Sequence, residues 1–135
     1  MIRQLDERTL VCGQIAPEEV PELAARGVTM IVNNRPDGEE PDQPRASDIE
    51  QAAKQAGIAY RFVPILRGIG PADVECMQQV MREAADGTLL AFCRSGTRSA
   101  LTWALARRQD GLPREQIERR LTEAGINVTP IAHLL

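Results

Sequence analysis

Apolar and polar positions along this chain follow two alternating patterns. Four short, nearly continuous apolar runs have the composition of strands buried on both faces: residues 9–15, 28–32, 58–65 and 88–92. Five segments with helical spacing lie between and after them: residues 16–26, 47–57, 71–85, 99–108 and 114–124. Ser47, with Glu50 three residues later, has the pattern of a capping box at the start of the second helix. This alternation predicts an α/β fold with a single, mostly parallel sheet of about four to five strands and helices on both faces.

Composition adds bounds on the class of protein. The 135 residues suit one domain over 1–135, and 43% hydrophobic with 26% charged residues is typical of a globular protein. A net charge of -3 argues against a nucleic-acid binder. No run approaches the roughly 20 apolar residues of a membrane span, and no apolar segment near the start resembles a signal peptide. We therefore expect a cytoplasmic protein without membrane contact.

Three cysteines and a single histidine constrain the chemistry. Cys12, Cys76 and Cys93 show no CxxC spacing, and with only His133 available we expect no metal site and no cofactor. Cys12 and Cys76 are expected to be buried thiols with a packing role. Cys93 differs because it follows the most apolar predicted strand directly. Loops that leave the carboxyl ends of parallel strands meet at one cleft, so residues 33–44, 66–70 and 93–98 should converge there.

The segment Cys93-Arg94-Ser95-Gly96-Thr97-Arg98 has the features of an anion-binding loop around a reactive thiolate. It leads into a helix N-terminus, whose exposed amides carry partial positive charge. Gly96 allows successive N–H groups to point inward, and Arg98 and Arg94 add full charges. These features favour the thiolate, which is the nucleophilic form, and would also bind an oxyanion. We therefore predict Cys93 as the nucleophile and Arg94, Ser95, Gly96 and Thr97 as substrate-binding residues.

Two segments of the chain resemble known protein families. FCRSGTRSA is similar to the active loop of rhodanese sulfurtransferases and to a shortened HCxxGxxRS loop of protein tyrosine phosphatases. The run VCGQIAPEEVPELAARGVTMIVNNRPDGEEPDQP resembles the N-terminal half of small dual-specificity phosphatases. From about residue 3 to 131, the chain is similar to the beta-lactamase-hydrolase-like protein phosphatase-like family, also catalogued as a sulfur transferase family. This resemblance implies a dual-specificity-phosphatase-like fold. Because some members of this family are fused to persulfide dioxygenases, the resemblance also implies a persulfide dioxygenase as a partner.

Phosphatase chemistry on a phosphorylated substrate would use Cys93 as nucleophile and Arg98 to hold phosphoryl oxygens. By resemblance, Ser99 would donate to the leaving thiolate. Asp37 and Asp73 are the candidate general acids, although turn formation and helix capping also explain them. Three departures weaken this interpretation. Arg98 follows Cys93 by five positions instead of six, Phe92 replaces a histidine, and residues 66–70 hold no carboxylate.

Sulfur transfer requires fewer catalytic groups than phosphatase chemistry and is the interpretation that the sequence favours. The six-residue loop has the rhodanese length, and sulfite or a thiolate leaves without a strong acid. Cys93 would take a sulfane sulfur from thiosulfate or a glutathione persulfide and carry it as a persulfide stabilised by Arg98. Arg35, at the end of a buried strand, would add anion affinity to the cleft. Glu39 and Glu40 are interpreted as a solvated loop tip.

Two alternatives from other classes remain open. The domain could be a non-catalytic anion-binding or protein-binding module that has kept the loop. It could also be a redox sensor, since an exposed thiolate is readily oxidised, with Cys12 as the best-placed resolving thiol.

Overall fold

The computed structural model describes residues 1–135 and contains one five-stranded sheet. Its strands are β1 (Arg3–Asp6), β2 (Thr9–Cys12), β3 (Val28–Asn33), β4 (Ala59–Phe62) and β5 (Thr88–Phe92). They lie in the order β1-β2-β5-β3-β4. The pairs β2–β5, β3–β5 and β3–β4 are parallel, and only β1 pairs antiparallel, with β2. The predicted single, mostly parallel sheet is confirmed.

Five α-helices cover the sheet: α1 (Val20–Ala25), α2 (Ala46–Gln55), α3 (Pro71–Ala84), α4 (Thr97–Gln109) and α5 (Arg114–Glu123). A 3₁₀ turn, Pro17–Glu19, precedes α1, and another, Thr129–Leu134, closes the chain. None of these helices combines the length and the apolar character that crossing a bilayer requires.

Two apolar clusters form on opposite faces of the sheet. Leu89 and Ala91 of β5 belong to the larger cluster, which includes Trp103 of α4 and Ile117 of α5. Their alternate neighbours in β5, Leu90 and Phe92, belong to the smaller cluster with residues of α1 and α2. Strand side chains alternate between faces, so a strand buried on both sides must be apolar at every position. β5 meets this condition because it is the central strand.

Several local predictions need correction. β1 was not expected, since Leu5 is its only buried residue and four residues show little pattern. The capping box at Ser47 is wrong: α2 begins one residue earlier, and the carboxylate that accepts the Ala46 N–H belongs to Asp37, at 2.7 Å. Cys76 is exposed on α3 and does not pack in the core.

The edge strand β4 is also shorter than the predicted 58–65, since its ladder ends at Phe62. The chain nevertheless stays beside β3 for a few residues more. The amides of Val63 and Ile65 donate to the carbonyls of Asn33 and Asn34, at 2.9 and 3.0 Å. These bonds hold the following loop, 66–70, next to the carboxyl end of β3.

Candidate functional site

Cys93 lies at the carboxyl end of the central strand, where the neighbouring strands bracket it. Its N–H donates to the carbonyl of Cys12 at the end of β2, at 3.4 Å. On the other side, the Asn34 N–H donates to the Phe92 carbonyl at 2.8 Å. The ends of β2, β3 and β5 therefore meet at Cys93, as expected for a ligand site in a parallel sheet. Cys93 is only 1% exposed, so the loop around it encloses the sulfur closely.

Gly96 shapes the loop around that sulfur. Its φ of +97° lies in the left-handed region, and its N–H donates to Cys93 Sγ at 3.1 Å. A Cβ atom here would stand 3.2 Å from the carbonyl carbon of Cys12. A Cβ on Gly13 would likewise stand 2.9 Å from the Arg94 oxygen. Two glycines thus allow the end of β2 and the loop to approach each other.

The loop presents several free backbone donors. The amides of Arg94, Ser95, Arg98 and Ser99 donate no hydrogen bond within the protein. Two of them belong to the loop after Cys93 and two to the first turn of α4, where the helix dipole adds positive potential. Consecutive open amides of this kind form an anion-binding nest. The side chain of Ser95 donates instead to the hydroxyl of Thr97, at 3.3 Å.

Arg98 is held at the rim of this loop by Glu39, 59 positions away in the chain. Its Nη1 donates to Glu39 Oε2 at 2.8 Å and to the Ile65 carbonyl at 2.9 Å, while Nη2 donates to Glu39 Oε1 at 2.8 Å. A guanidinium has five N–H donors. The two that no oxygen of the protein accepts are on the adjacent atoms Nε and Nη2, a fork whose geometry suits two parallel hydrogen bonds to an oxyanion. Glu39, and secondarily the nearby Cys93, raise the pKa of Arg98 above its ordinary value.

Glu39 and Glu40 connect three arginines of the site. Glu39 Oε1 also accepts from Arg35 Nε at 2.9 Å, and Glu40 Oε1 accepts from Arg35 Nη2 at 2.7 Å. Arg94 Nε lies 3.3 Å from the same Glu40 oxygen. Hydrogen bonds from Arg98 first, and then from Arg35, lower the pKa of Glu39 to about 2, so its carboxylate stays ionised at neutral pH. Three guanidinium groups against two carboxylates leave one positive charge beside Cys93.

Arg35 does not line an open cleft. It is 3% exposed and lies behind the two glutamates, where its Nη1 donates to Gln14 Oε1 at 3.1 Å. Arg35 therefore contacts the loop indirectly, through Glu39 and Glu40, which bind Arg98 and Arg94. Glu39 and Glu40 lie on a partly exposed loop, as expected, but the interpretation as a solvated loop tip did not include their ion pairs with the arginines of the site. Their proximity to Arg98 depends on how β3 and β5 pair, which no local pattern indicates.

Ser99 connects the first turn of α4 to the end of β3. Its buried hydroxyl donates to Asn34 Oδ1 at 2.8 Å, and Asn34 Nδ2 donates to the Val63 carbonyl at 3.0 Å. The hydroxyl proton of Ser99 is thus directed at Asn34 and not at Cys93. This chain of bonds fixes the three loops of the cleft relative to one another.

Both candidate acids stand at helix N-termini. Asp37 Oδ1 accepts the Ala46 N–H at the start of α2, and Asp73 Oδ2 accepts the Gly70 N–H at the start of α3, at 2.8 Å. Neither contact connects its carboxylate to Cys93 or Arg98. These positions are typical of capping residues.

Cys12 is close to Cys93 but is poorly suited to react with it. It is buried in the cluster on the α1 and α2 face. Burial raises the pKa of the Cys12 thiol to about 12, so it remains protonated at neutral pH. A protonated thiol is a weak partner for disulfide exchange.

Comparisons with known proteins agree on one family. Residues 1–110 match the family described as beta-lactamase hydrolase-like protein, phosphatase-like domain. The beta-lactamase hydrolase-like protein of Xylella fastidiosa is 41% identical over 120 residues, which are 87% of this chain and 27% of that relative. This chain thus spans about a quarter of the length of the curated relatives it matches.

Solved structures show the same fold. A candidate phosphatase from Neisseria meningitidis is 35% identical, with a TM-score of 0.81 over 96% of this chain and 92% of that one. Kinase-associated phosphatase, solved with its catalytic-site cysteine replaced by serine, is 19% identical with a TM-score of 0.73, covering 91% and 81%. The predicted dual-specificity-phosphatase-like fold is therefore confirmed. The chain belongs to the family of phosphatase-like domains of beta-lactamase hydrolase-like proteins.

Proposed function

We propose that this protein is a cysteine-dependent phosphatase in which Cys93 forms a transient phosphocysteine. The observation that carries the proposal is the set of donors around one sulfur: the Gly96 N–H bonds to Cys93 Sγ, further amides of the same loop are open, and Cys93 is near enough to help raise the pKa of Arg98. Phosphoryl transfer places negative charge on the oxygens around phosphorus, and preorganised donors of this kind stabilise it. The phosphatase-like family and the phosphatase-type fold support the same reaction class.

The reaction would proceed in two displacements. Cys93 Sγ attacks phosphorus, so that an S–P bond forms and the P–O bond to the leaving group breaks. The loop amides and the Arg98 fork hold the phosphoryl oxygens during both steps. Water then attacks the phosphocysteine, the S–P bond breaks, the thiolate is regenerated and inorganic phosphate leaves with the proton of the water. Glu39 and Arg35 act through Arg98 as positioning residues.

Sulfur transfer is the second candidate, and two observations favour it. The loop from Cys93 to Arg98 has only six residues, and both candidate acids cap helices. Thiosulfate or a glutathione persulfide would transfer its sulfane sulfur to Cys93, with sulfite or glutathione leaving. A persulfide dioxygenase would be a suitable partner for such a carrier. Free cysteines at 12, 76 and 93 fit a reducing compartment such as the cytoplasm.

The mass of the intact protein after a rapid quench tests both candidates. The wild type, Cys93→Ser and the control Cys76→Ser, which alters an exposed cysteine on α3, are each exposed to an aryl phosphate, thiosulfate or glutathione persulfide. Our proposal expects a phosphoryl adduct and phosphate release in the wild type and in Cys76→Ser only. An added sulfur atom that needs Cys93, without phosphate release, would establish the second candidate instead. No adduct from any of the three reagents would indicate a non-catalytic module.

A further inference from the structure

The two candidate general acids are each bound to a backbone amide at a helix start. Asp37 and Asp73 each accept a backbone N–H at a helix start, at 2.7 and 2.8 Å. An ionised carboxylate is stabilised in this position by the helix dipole. Each side chain therefore uses one oxygen to accept a backbone hydrogen bond, which is a structural role and not that of a mobile proton donor.

The two glutamates nearest to the loop are equally committed. Both oxygens of Glu39 accept from Arg98, and Glu40 accepts from Arg35 and lies against Arg94. Hydrogen bonds from Arg98 and then Arg35 lower the pKa of Glu39 to about 2, so Glu39 has no proton to give at neutral pH.

The remaining wall of the cleft offers no substitute. The loop 66–70, which follows the Ile65 carbonyl bonded to Arg98, contains Leu66 and Arg67 as its exposed side chains and has no carboxylate. Asp42, on the loop after β3, is exposed and makes no hydrogen bond within the protein. Of the carboxylates on these loops and at the start of α3, all but Asp42 are thus bound to an amide or a guanidinium.

We infer that this site expels its leaving group without a proton from any side chain, and so selects substrates whose leaving group is stable as an anion. The inference rests on the proposed phosphatase function and defines its substrate class. When the S–P bond forms and the P–O bond breaks, the oxygen departs with the electron pair and takes its proton from solvent afterwards. A phenolate, with a conjugate acid of pKa about 10 for tyrosine, can leave in this way. An alkoxide resembles hydroxide, whose conjugate acid water has a pKa of about 15.7, and leaves far more slowly.

The test is the dependence of kcat/KM on the leaving group. Phosphate release is measured for aryl phosphates ranging from acidic nitrophenols to unsubstituted phenol, and for an alkyl phosphate such as phosphoserine. A positioned general acid contributes about 10² to 10⁴ in rate, mostly where the leaving group is basic. We expect kcat/KM to fall steadily as the leaving group becomes more basic, with the alkyl phosphate at least about 100-fold below phenyl phosphate.

Three variants test whether an aspartate acts as a general acid. Asp37→Asn, Asp73→Asn and Asp42→Asn should each leave the slope of log kcat/KM against leaving-group pKa unchanged. A slope near zero in the wild type, or one that becomes steeper in any of these variants, would overturn the inference while leaving the phosphatase function intact. Absence of Cys93-dependent release from every aryl phosphate would refute the phosphatase function itself, and the inference with it.

Discussion

Replacing Glu39 by glutamine would test how the cleft holds its arginine. In the native protein, the two Glu39 oxygens accept hydrogen bonds from Arg98 Nη1, Arg98 Nη2 and Arg35 Nε, at 2.8, 2.8 and 2.9 Å. Glutamine keeps the shape of the side chain but turns one acceptor oxygen into an NH₂ group, which would face an N–H of a guanidinium. At least one bond to Arg98 is therefore lost, and the negative charge that balances two arginines disappears.

The size of the effect follows from the contacts. A hydrogen bond to a charged group contributes about 1.5–3 kcal/mol net. The side chains of Glu39 and Arg98 are 27% and 26% exposed, and solvent screening reduces this figure to about 1–2 kcal/mol of stability. The effect on activity should be larger, since an oxyanion donor that is lost completely costs about 10² to 10³ in kcat. Because Arg98 Nη1 keeps its bond to the Ile65 carbonyl, we expect kcat to fall about 10- to 100-fold.

The assay combines denaturant unfolding with turnover of an activated aryl phosphate. Glu118→Gln is the matched control, because Glu118 pairs with Arg114 Nε at 2.6 Å on α5, outside the cleft. This exposed pair should contribute at most about 0.5 kcal/mol, and its loss should leave turnover unchanged. Binding of inorganic phosphate, measured as a competitive inhibition constant, reports on the Arg98 fork independently of the chemical step.

Three results would contradict this account. If Glu39→Gln keeps wild-type kcat and wild-type phosphate inhibition, Glu39 does not position Arg98. If kcat or phosphate affinity increases, the carboxylate competes with the substrate for the guanidinium and acts as an inhibitory contact. A loss of stability alone, with unchanged turnover per folded molecule, would confine the role of Glu39 to folding.

Three further predictions concern the same loops. The pKa of Glu39 is lowered to about 2, against an ordinary 4.5. The stabilising effect of Glu39 is therefore fully present above pH 4.5 and is lost as the pH falls toward 2. In acid titrations, the difference in unfolding free energy between the wild type and Glu39→Gln should narrow across that pH range. Gly96→Ala, at φ +97° and against the Cys12 backbone, should cost about 1–3 kcal/mol and abolish turnover, whereas Gly111→Ala, at φ +104° in open space, should lower stability without lowering turnover. Ser99→Ala leaves the buried Asn34 Oδ1 without its donor and should cost about 1–3 kcal/mol by denaturant unfolding, while Ser95→Ala, at an exposed position, should cost less than about 0.5 kcal/mol.

The sequence predicts what depends on neighbours along the chain. The central strand and the Cys93 loop are local patterns, and both are where they were expected. Two of the errors concern pairs of residues that are distant in sequence. Asp37 bonds to an amide nine positions away, and Glu39 to an arginine 59 positions away. The capping box predicted at Ser47 is replaced by a tertiary contact of Asp37, and the partly exposed loop tip at 39–40 makes tertiary contacts with arginines that no local pattern indicates.

This division explains why the loop motif alone leaves the reaction open. In both proposed reactions Cys93 is the nucleophile and the open amides bind an oxyanion, so the loop does not distinguish phosphoryl from sulfane sulfur transfer. What separates the two reactions is the proton supply to the leaving group, which depends on the segment 33–45 and the start of α3. Asp37, Glu39, Glu40 and Asp73 are bound there to arginines or backbone amides. A phosphatase built this way must rely on the acidity of its leaving group, whereas sulfite and thiolates already leave as stable anions. The slope of log kcat/KM against leaving-group pKa therefore tests the proton supply to the leaving group, on which both interpretations depend.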